Sequence, residues 1–296
     1  MNSPITIVGY GDVGERLADR LIHDRQDPIY GVIRDPGRTR RLLARGVRPI
    51  HADLDVPSSL SALSRPHQAL VYLAPPPAAG ETDPRLAALL ACLAADPAAL
   101  PARLIYASTT GVYGDCQGAW IGEDHRLAAT SGRGLRRVDA EHQVRRFAQA
   151  HGVPWLILRL PAIYGPGRLP LARLQRGEPT ICEADLRAAN LWSNRIHVTD
   201  LVRSLAAALA PNAPTQQAIH IGDGTPTTMT DYFVSVARAV GLPTPPCVEL
   251  DEARQTFRPE LLSFLLDSKR LTLDRMREAL GITPRVTNLQ AGLRRC

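Results

Sequence analysis

The sequence predicts an α/β fold, a doubly wound parallel sheet with a smaller C-terminal substrate lobe, and three observations carry that expectation. Short apolar runs alternate with longer amphipathic ones from the N-terminus; a glycine-rich turn, Gly9-Tyr10-Gly11-Asp12-Val13-Gly14, separates the first run from the second; and 296 residues, 45% of them hydrophobic and 22% charged, suffice to bury a sizeable core. Aromatic residues are just 5%, so Ala, Leu, Val and Ile must build that core.

The elements follow in order. Ile5–Val8 reads as a strand and 13–22 as a helix; Ile29–Ile33, 47–50 and 69–73 are further strands, with a helix at 39–43 between the first two. A helix at 85–93 begins just after Pro84, a residue suited to a first helical turn. A strand at 103–107, a long helix at 135–150 and the strand Trp155–Leu160 complete a repeating βαβ rhythm. Beyond Tyr164-Gly165-Pro166-Gly167 the rhythm weakens, and Pro and Gly punctuate more densely at Pro211, Pro214, Gly222, Gly224, Pro226, Pro243, Pro245 and Pro246. The expected organisation is a nucleotide domain over 1–165 and a substrate lobe over 166–296, with about 194–209 returning to the first.

Each glycine of the turn has a task. Gly9 makes the tight bend, Gly11 lets a pyrophosphate approach the backbone, and Gly14 lets the helix pack on the strand, while the helix N-terminus offers unpaired N–H groups to the phosphates. That is the turn of a Rossmann-type sheet, with Tyr10, Asp12 and Val13 joining the glycines at the cofactor. A carboxylate about 20 residues further on accepts the ribose hydroxyls of NAD, whereas Arg there suits the phosphate of NADP. The second strand ends in Arg34-Asp35-Pro36-Gly37-Arg38. Arg34 and Arg38 favour NADP, since a guanidinium fork binds phosphate bidentately. The alternative is NAD, held by Asp35.

Other chemistries are excluded by composition. The net charge of +6 comes almost wholly from Arg spread along the chain, without the clustered stripe of a nucleic-acid footprint. Lys269 is the sole lysine, which leaves no phosphate-binding GxxxxGK[ST] loop, and its DSKR setting does not suit Schiff-base catalysis. Eight His lack metal-ligand spacing, so no metal site is expected. Cys92, Cys116, Cys182, Cys247 and Cys296 form no short-spaced pair and read as reduced thiols; with no leader-like segment and no apolar run of about 18 residues, the expectation is a cytoplasmic protein off the membrane.

Four segments in order, Gly9 to Gly14, Ala52-Asp53-Leu54, the run from Tyr106 to Gly114, and the run from Arg159 to Gly167, resemble the extended short-chain dehydrogenase/reductase superfamily of the NAD(P)-dependent epimerase/dehydratase type. A fifth, from Asn194 to Asp200, is similar to that family's late IHV-x-D segment. The resemblance implies that Asp53 and Leu54 lie beside adenine, that Leu73, Ala74 and Pro75 border the cofactor, and that Thr109 takes the catalytic Ser/Thr position. The family's Tyr-x-x-x-Lys pair is missing. Arg133 and Arg137 stand there instead, no Tyr occurs between Tyr113 and Tyr164, and no Lys precedes Lys269.

Arginine, with a pKa above about 12, exchanges no proton usefully near neutrality, although it can clamp a carboxylate or phosphate. The candidate site is therefore Thr109, Tyr113, Arg133 and Arg137, with Tyr113 as the proton donor. An NADP-dependent reductase or epimerase-like enzyme acting on a small anionic substrate or a sugar nucleotide is one expectation. A non-catalytic NAD(P)-binding sensor is the other. Oligomeric state is left open.

Overall fold

The computed structural model describes residues 4–24 and 27–296. Its frame is a seven-stranded sheet of β1 (Ile5–Val8), β2 (Ile29–Ile33), β3 (Val47–His51), β4 (Ala69–Tyr72), β5 (Leu104–Thr109), β6 (Trp155–Leu160) and β7 (Gln217–His220), in the spatial order β7-β6-β5-β4-β1-β2-β3. Pairing is parallel, with Ile5 beside both Ile29 and Ala69, Ile29 beside Val47, and Leu70 beside Leu104. Strand order reverses between β1 and β4, and in such sheets ligands bind beyond the carboxyl ends at that reversal. Every residue of β1 and β4 is buried, which is why both are apolar throughout save for Thr6, whose hydroxyl lies 2.8 Å from His67 Nδ1.

The helices follow from local signals. α1 (Asp12–Asp24) buries Leu17, Ala18 and Leu21 and carries Asp12 and Glu15 in its first turn. α2 (Thr39–Ala44) is short and buries Leu42. α3 (Pro84–Ala94) starts on Pro84 and is capped by Asp83, whose carboxylate accepts the Leu86 N–H at 3.1 Å. α4 (Gly132–His151) starts earlier than the expected 135. Leu86, Leu89 and Leu93 of α3 pack with Val144 and Phe147 of α4 over Leu104 of β5. Each such side chain contributes about 1.5–3 kcal/mol on burial. The aliphatic core expected from composition is thus realised.

Two compact units divide the chain: the first comprises 1–109, 132–159 and 202–219, and the second 110–131, 160–201 and 220–296. The second unit holds three short parallel pairs, Ala162–Tyr164 with Arg195–His197, Thr180–Ile181 with Cys247–Val248, and Trp120–Ile121 with Arg270–Leu271. Its own core gathers Tyr164, Ile181, Tyr232, Phe233, Val236 and Leu289. A Cβ at Gly292 would meet the Tyr164 hydroxyl, so the helix Leu289–Leu293 seats on that ring only through a glycine.

One expectation is corrected here. Cys182 and Cys247 are joined as a disulfide, with Cα atoms 4.9 Å apart across 65 residues of sequence, while Cys92, Cys116 and Cys296 are free thiols. The pairing of Thr180–Ile181 with Cys247–Val248 brings the two together, a non-local contact to which residue spacing is blind. A cytoplasmic location loses the support it drew from five reduced thiols. Among the described residues no helix is long and apolar enough to cross a membrane.

Candidate functional site

The turn after β1 assigns its glycines distinct physical roles. Gly9 has φ +83°, and a Cβ on it would stand 2.4 Å from the Ala74 nitrogen, so β1 can leave the sheet beside the end of β4 only through glycine. At Gly14 a Cβ would lie 3.2 Å from Ile7 Cγ2, the close helix-to-strand approach expected of it. At Gly11 a Cβ would meet nothing within 4 Å. The protein's own packing leaves that space open, in front of the N-terminus of α1, and the cradle therefore fits the pyrophosphate of a dinucleotide. The Gly11 N–H is bonded to Gly9 O and the Glu15 N–H to Gly11 O, both at 2.8 Å, which fixes the bend.

Tyr10 points inward, its ring lying where Gly31 of β2 has no side chain. Its hydroxyl has no partner among the described residues, and burial together with the Glu15 charge pushes its pKa up to about 12. At the end of β2, Arg34 is exposed, and the Asp35 carboxylate already accepts the Gly37 N–H at 2.9 Å. Arg38 is drawn to Glu15, Nη2 to Oε1 at 2.7 Å. Asp53 accepts the Asp55 N–H at 3.0 Å and Leu54 packs on the core. Arg85 grips Asp55 through Nε and Nη2 at 2.7 and 2.6 Å and donates from Nη1 to Pro75 O at 3.2 Å. The Asp53–Asp55 loop and the Leu73–Pro75 segment, both expected beside the cofactor, are thereby tied together, and the same arginine holds the Asp55 carboxyl below its ordinary range.

The far side of this sheet end is closed by its own polar groups. Arg137 of α4 donates from Nη1 to the Tyr106 hydroxyl at 2.8 Å and to Ala107 O at 2.9 Å, and its guanidinium stands over the Tyr106 ring. Burial nevertheless pushes the Tyr106 phenol up to about 12, the adjacent Arg137 opposing it. Asp139 instead accepts the Asp83 N–H at 2.8 Å and the Gln143 amide at 2.6 Å. Arg136, next to Arg137, donates to Gly80 O at 2.5 Å, so consecutive arginines pin α4 to the loop after β4 and to β5. Thr109, half-buried, ends β5, and Arg133 is exposed at the start of α4.

Sequence reasoning missed the buried ionic centre beneath these residues. Glu141, 0% exposed, accepts Arg159 Nε at 3.0 Å and Nη2 at 2.7 Å, Ser108 Oγ at 2.7 Å and Arg145 Nη2 at 3.3 Å. The one signal was Arg159 itself, a charge inside the otherwise apolar strand Trp155–Leu160. Tyr113 belongs to the second unit and is 1% exposed. Its hydroxyl lies 2.5 Å from His220 Nε2, and His220 Nδ1 lies 3.1 Å from Thr272 O, a carbonyl that can only accept. A neutral His220 then carries its proton on Nδ1 and accepts the Tyr113 O–H on Nε2, in competition with Glu123 O, 3.4 Å from the same hydroxyl. A donor role for Tyr113 requires that bond to be exchanged. Elsewhere in this unit Arg195, brought down to about 10 by burial, stands 4.3 Å over the Tyr232 ring, and burial raises Asp223 to about 7.

Sheet order and glycine cradle together define a Rossmann-type α/β protein of the dinucleotide-binding class. The chain belongs to the NAD-dependent epimerase/dehydratase family, whose model matches residues 5–222. A functionally unknown conserved protein from Silicibacter pomeroyi has the same fold at a TM-score of 0.80, with 31% identity over 99% of this chain and 97% of that one. UDP-glucose 4-epimerase of Thermotoga maritima, solved with UDP-glucose, is similar at 0.76 and 18% identity over 98% and 97%. UDP-glucuronic acid 4-epimerase of Bacillus cereus, solved with NAD, is similar at 0.77 and 19% over 99% and 94%. A 66-residue stretch is 35% identical to the uncharacterized UDP-glucose epimerase YtcB of Bacillus subtilis (strain 168), spanning 22% of this chain and 21% of that relative.

Proposed function

We propose that this chain is an NADP-binding oxidoreductase or epimerase-like enzyme with a non-standard site, acting on a sugar nucleotide or another small anionic substrate. The observation that carries the reading is the glycine turn: a bend only Gly9 permits, beside an opening at Gly11 that no side chain fills. Gly9, Tyr10, Gly11, Asp12, Val13 and Gly14 would hold the pyrophosphate, Asp53 and Leu54 the adenine, Leu73, Ala74 and Pro75 the nicotinamide side, and Arg34 with Arg38 the NADP phosphate. When bound, the nicotinamide supplies hydride chemistry. Thr109 orients the substrate. Arg133 and Arg137 hold negative charge and leave proton exchange to another group, because a guanidinium stays protonated at working pH. Tyr113 is the phenol for that task, with His220 as its hydrogen-bond partner. The UDP-glucose bound by the Thermotoga maritima relative supports the substrate class.

Calorimetry with NADP and NAD tests the cofactor reading. Arg34→Ala with Arg38→Ala should weaken NADP by about 10- to 100-fold, the loss of one or two charge-assisted hydrogen bonds, and NAD by much less. Equal losses for the two nucleotides would remove the phosphate clamp, and absence of heat with either would remove dinucleotide binding itself.

A second reading, a non-catalytic NAD(P)-binding sensor, is favoured by the Tyr113 bond to His220 and by the commitment of Arg137 to Tyr106 and Ala107. NADPH consumption on a panel of carbonyl compounds, together with product analysis of UDP-sugars incubated with the oxidised nucleotide, which an epimerase regenerates in each turnover, separates the two. Turnover supports the enzyme, and tight NADPH binding without turnover supports the sensor.

A further inference from the structure

A carboxylate in the first turn of α1 suits the helix dipole but stands close to where the proposed phosphates would lie. The helix N-terminus attracts phosphate, and an ionised side chain beside it repels the same phosphate. Glu15 follows Gly14 directly and its side chain is 11% exposed. Its two oxygens are divided between two arginines that follow β2: Oε1 takes Arg38 Nη2 at 2.7 Å and Oε2 takes Arg41 Nη2 at 2.6 Å, with Arg45 Nη2 3.9 Å from Oε2. The Arg38 guanidinium also stands 6.0 Å over the buried ring of Tyr10. One end of Arg38 is thus fixed from two sides, while Nε and Nη1 make no bond among the described residues, so the second Nη2 hydrogen can still pair with the donor beside it as a two-donor edge for phosphate. Arg34, exposed, and Asp35, occupied by the Gly37 N–H, complete the surroundings.

We infer that Glu15 is a positioning residue for cofactor selection: its carboxylate anchors Arg38 and Arg41 so that they meet the 2′-phosphate of NADP already ordered. This rests on the NADP reading above. An arginine left free must lose its rotamer freedom when the phosphate binds, at a cost of about 0.5–1.5 kcal/mol per side chain, equivalent to about 3- to 10-fold in affinity. Pure electrostatics gives the opposite sign, because deleting a carboxylate near a dianion tightens it. The sign of the change therefore tells an anchor from a bystander.

The experiment is calorimetric titration of the full chain with NADP and with NAD, for the wild type, Glu15→Ala and Glu15→Gln, at one fixed salt concentration. Glu15→Ala should weaken NADP about 3- to 10-fold and NAD by less than twofold. Glu15→Gln keeps one acceptor oxygen for two arginines and should fall between. Unchanged NAD affinity doubles as the control for folding. NADP binding that is unchanged or tighter in both variants overturns the inference and leaves the NADP reading standing. Parallel loss of both nucleotides overturns it too, assigning Glu15 to the fold. A wild type that binds NADP no better than NAD overturns the NADP reading, and the inference with it.

Discussion

The glycine turn and the start of α4 stand at the carboxyl ends of one sheet, yet they treat polar groups in opposite ways. Around Gly11 the backbone is bent and held by its own hydrogen bonds, and the space in front is left open. Around Arg137 the charged groups are turned on neighbours: the guanidinium on Tyr106 and Ala107, Asp139 on Asp83 and Gln143, Glu141 on Arg159 and Ser108. A ligand can enter the first region without displacing anything. Entering the second means exchanging bonds already made. The opening at Gly11 is free for the proposed dinucleotide, whereas Arg137 is bound into the protein's internal frame.

The largest expected effect lies in the closed region. Glu141→Ala leaves Arg159, 2% exposed, as a buried cation without its main partner, and should destabilise the chain by about 3–5 kcal/mol. Denaturant unfolding measures it, and a loss under about 1 kcal/mol would show that solvent reaches Arg159. Next come the glycines. Gly9→Ala combines a left-handed backbone with a 2.4 Å clash and should lose about 2–4 kcal/mol, whereas Gly11→Ala, with open space around it, should melt like the wild type and weaken the dinucleotide alone. If Gly11→Ala melted as low as Gly9→Ala, the contrast between packing glycine and ligand glycine would be gone.

A smaller effect extends the contrast to the second unit, where burial raises the Asp223 carboxyl from 3.8 to about 7 despite the Thr225 N–H and Arg195, with Asp200 adding to the rise. A folded value above the unfolded one means that the folded chain holds the extra proton between those two pH values. Stability is therefore undiminished below about pH 4, falls as pH rises toward 7, and stays reduced above it. Asp223→Asn should restore about 1–3 kcal/mol at pH 8 and almost nothing at pH 4, read as the difference in unfolding free energy from the wild type. An equal effect at both values would mean that the carboxyl titrates normally.

Much of the frame was legible because it is local. The strand over Trp155–Leu160, the Pro84 start of α3 and the glycine turn are each written in fewer than about twenty adjacent residues, where period and turn chemistry act. Partnerships across the chain were not legible. Arg137, expected to clamp a carboxylate or phosphate, donates instead to Tyr106 on a strand. Tyr113 was read as reaching a substrate, and its hydroxyl lies on His220, 107 positions away. Glu15 was passed over because nothing next to it in sequence reveals the arginines that follow β2. In each case side chains far apart in the chain decide the outcome, and hydrophobic period carries no information about them.

The division of the chain into units has a consequence for how this protein can be taken apart. The backbone passes from one unit to the other after residues 109, 131, 159, 201 and 219, so each unit is assembled from three separated stretches of polypeptide. No single truncation point yields either lobe as one uninterrupted piece. A gene fragment ending near residue 160 would encode two of the three stretches of one unit, a stray insert from the other, and none of the strand that finishes the sheet edge. Neither unit can be exchanged as a cassette, and change in either must come residue by residue, inside a chain that stays whole.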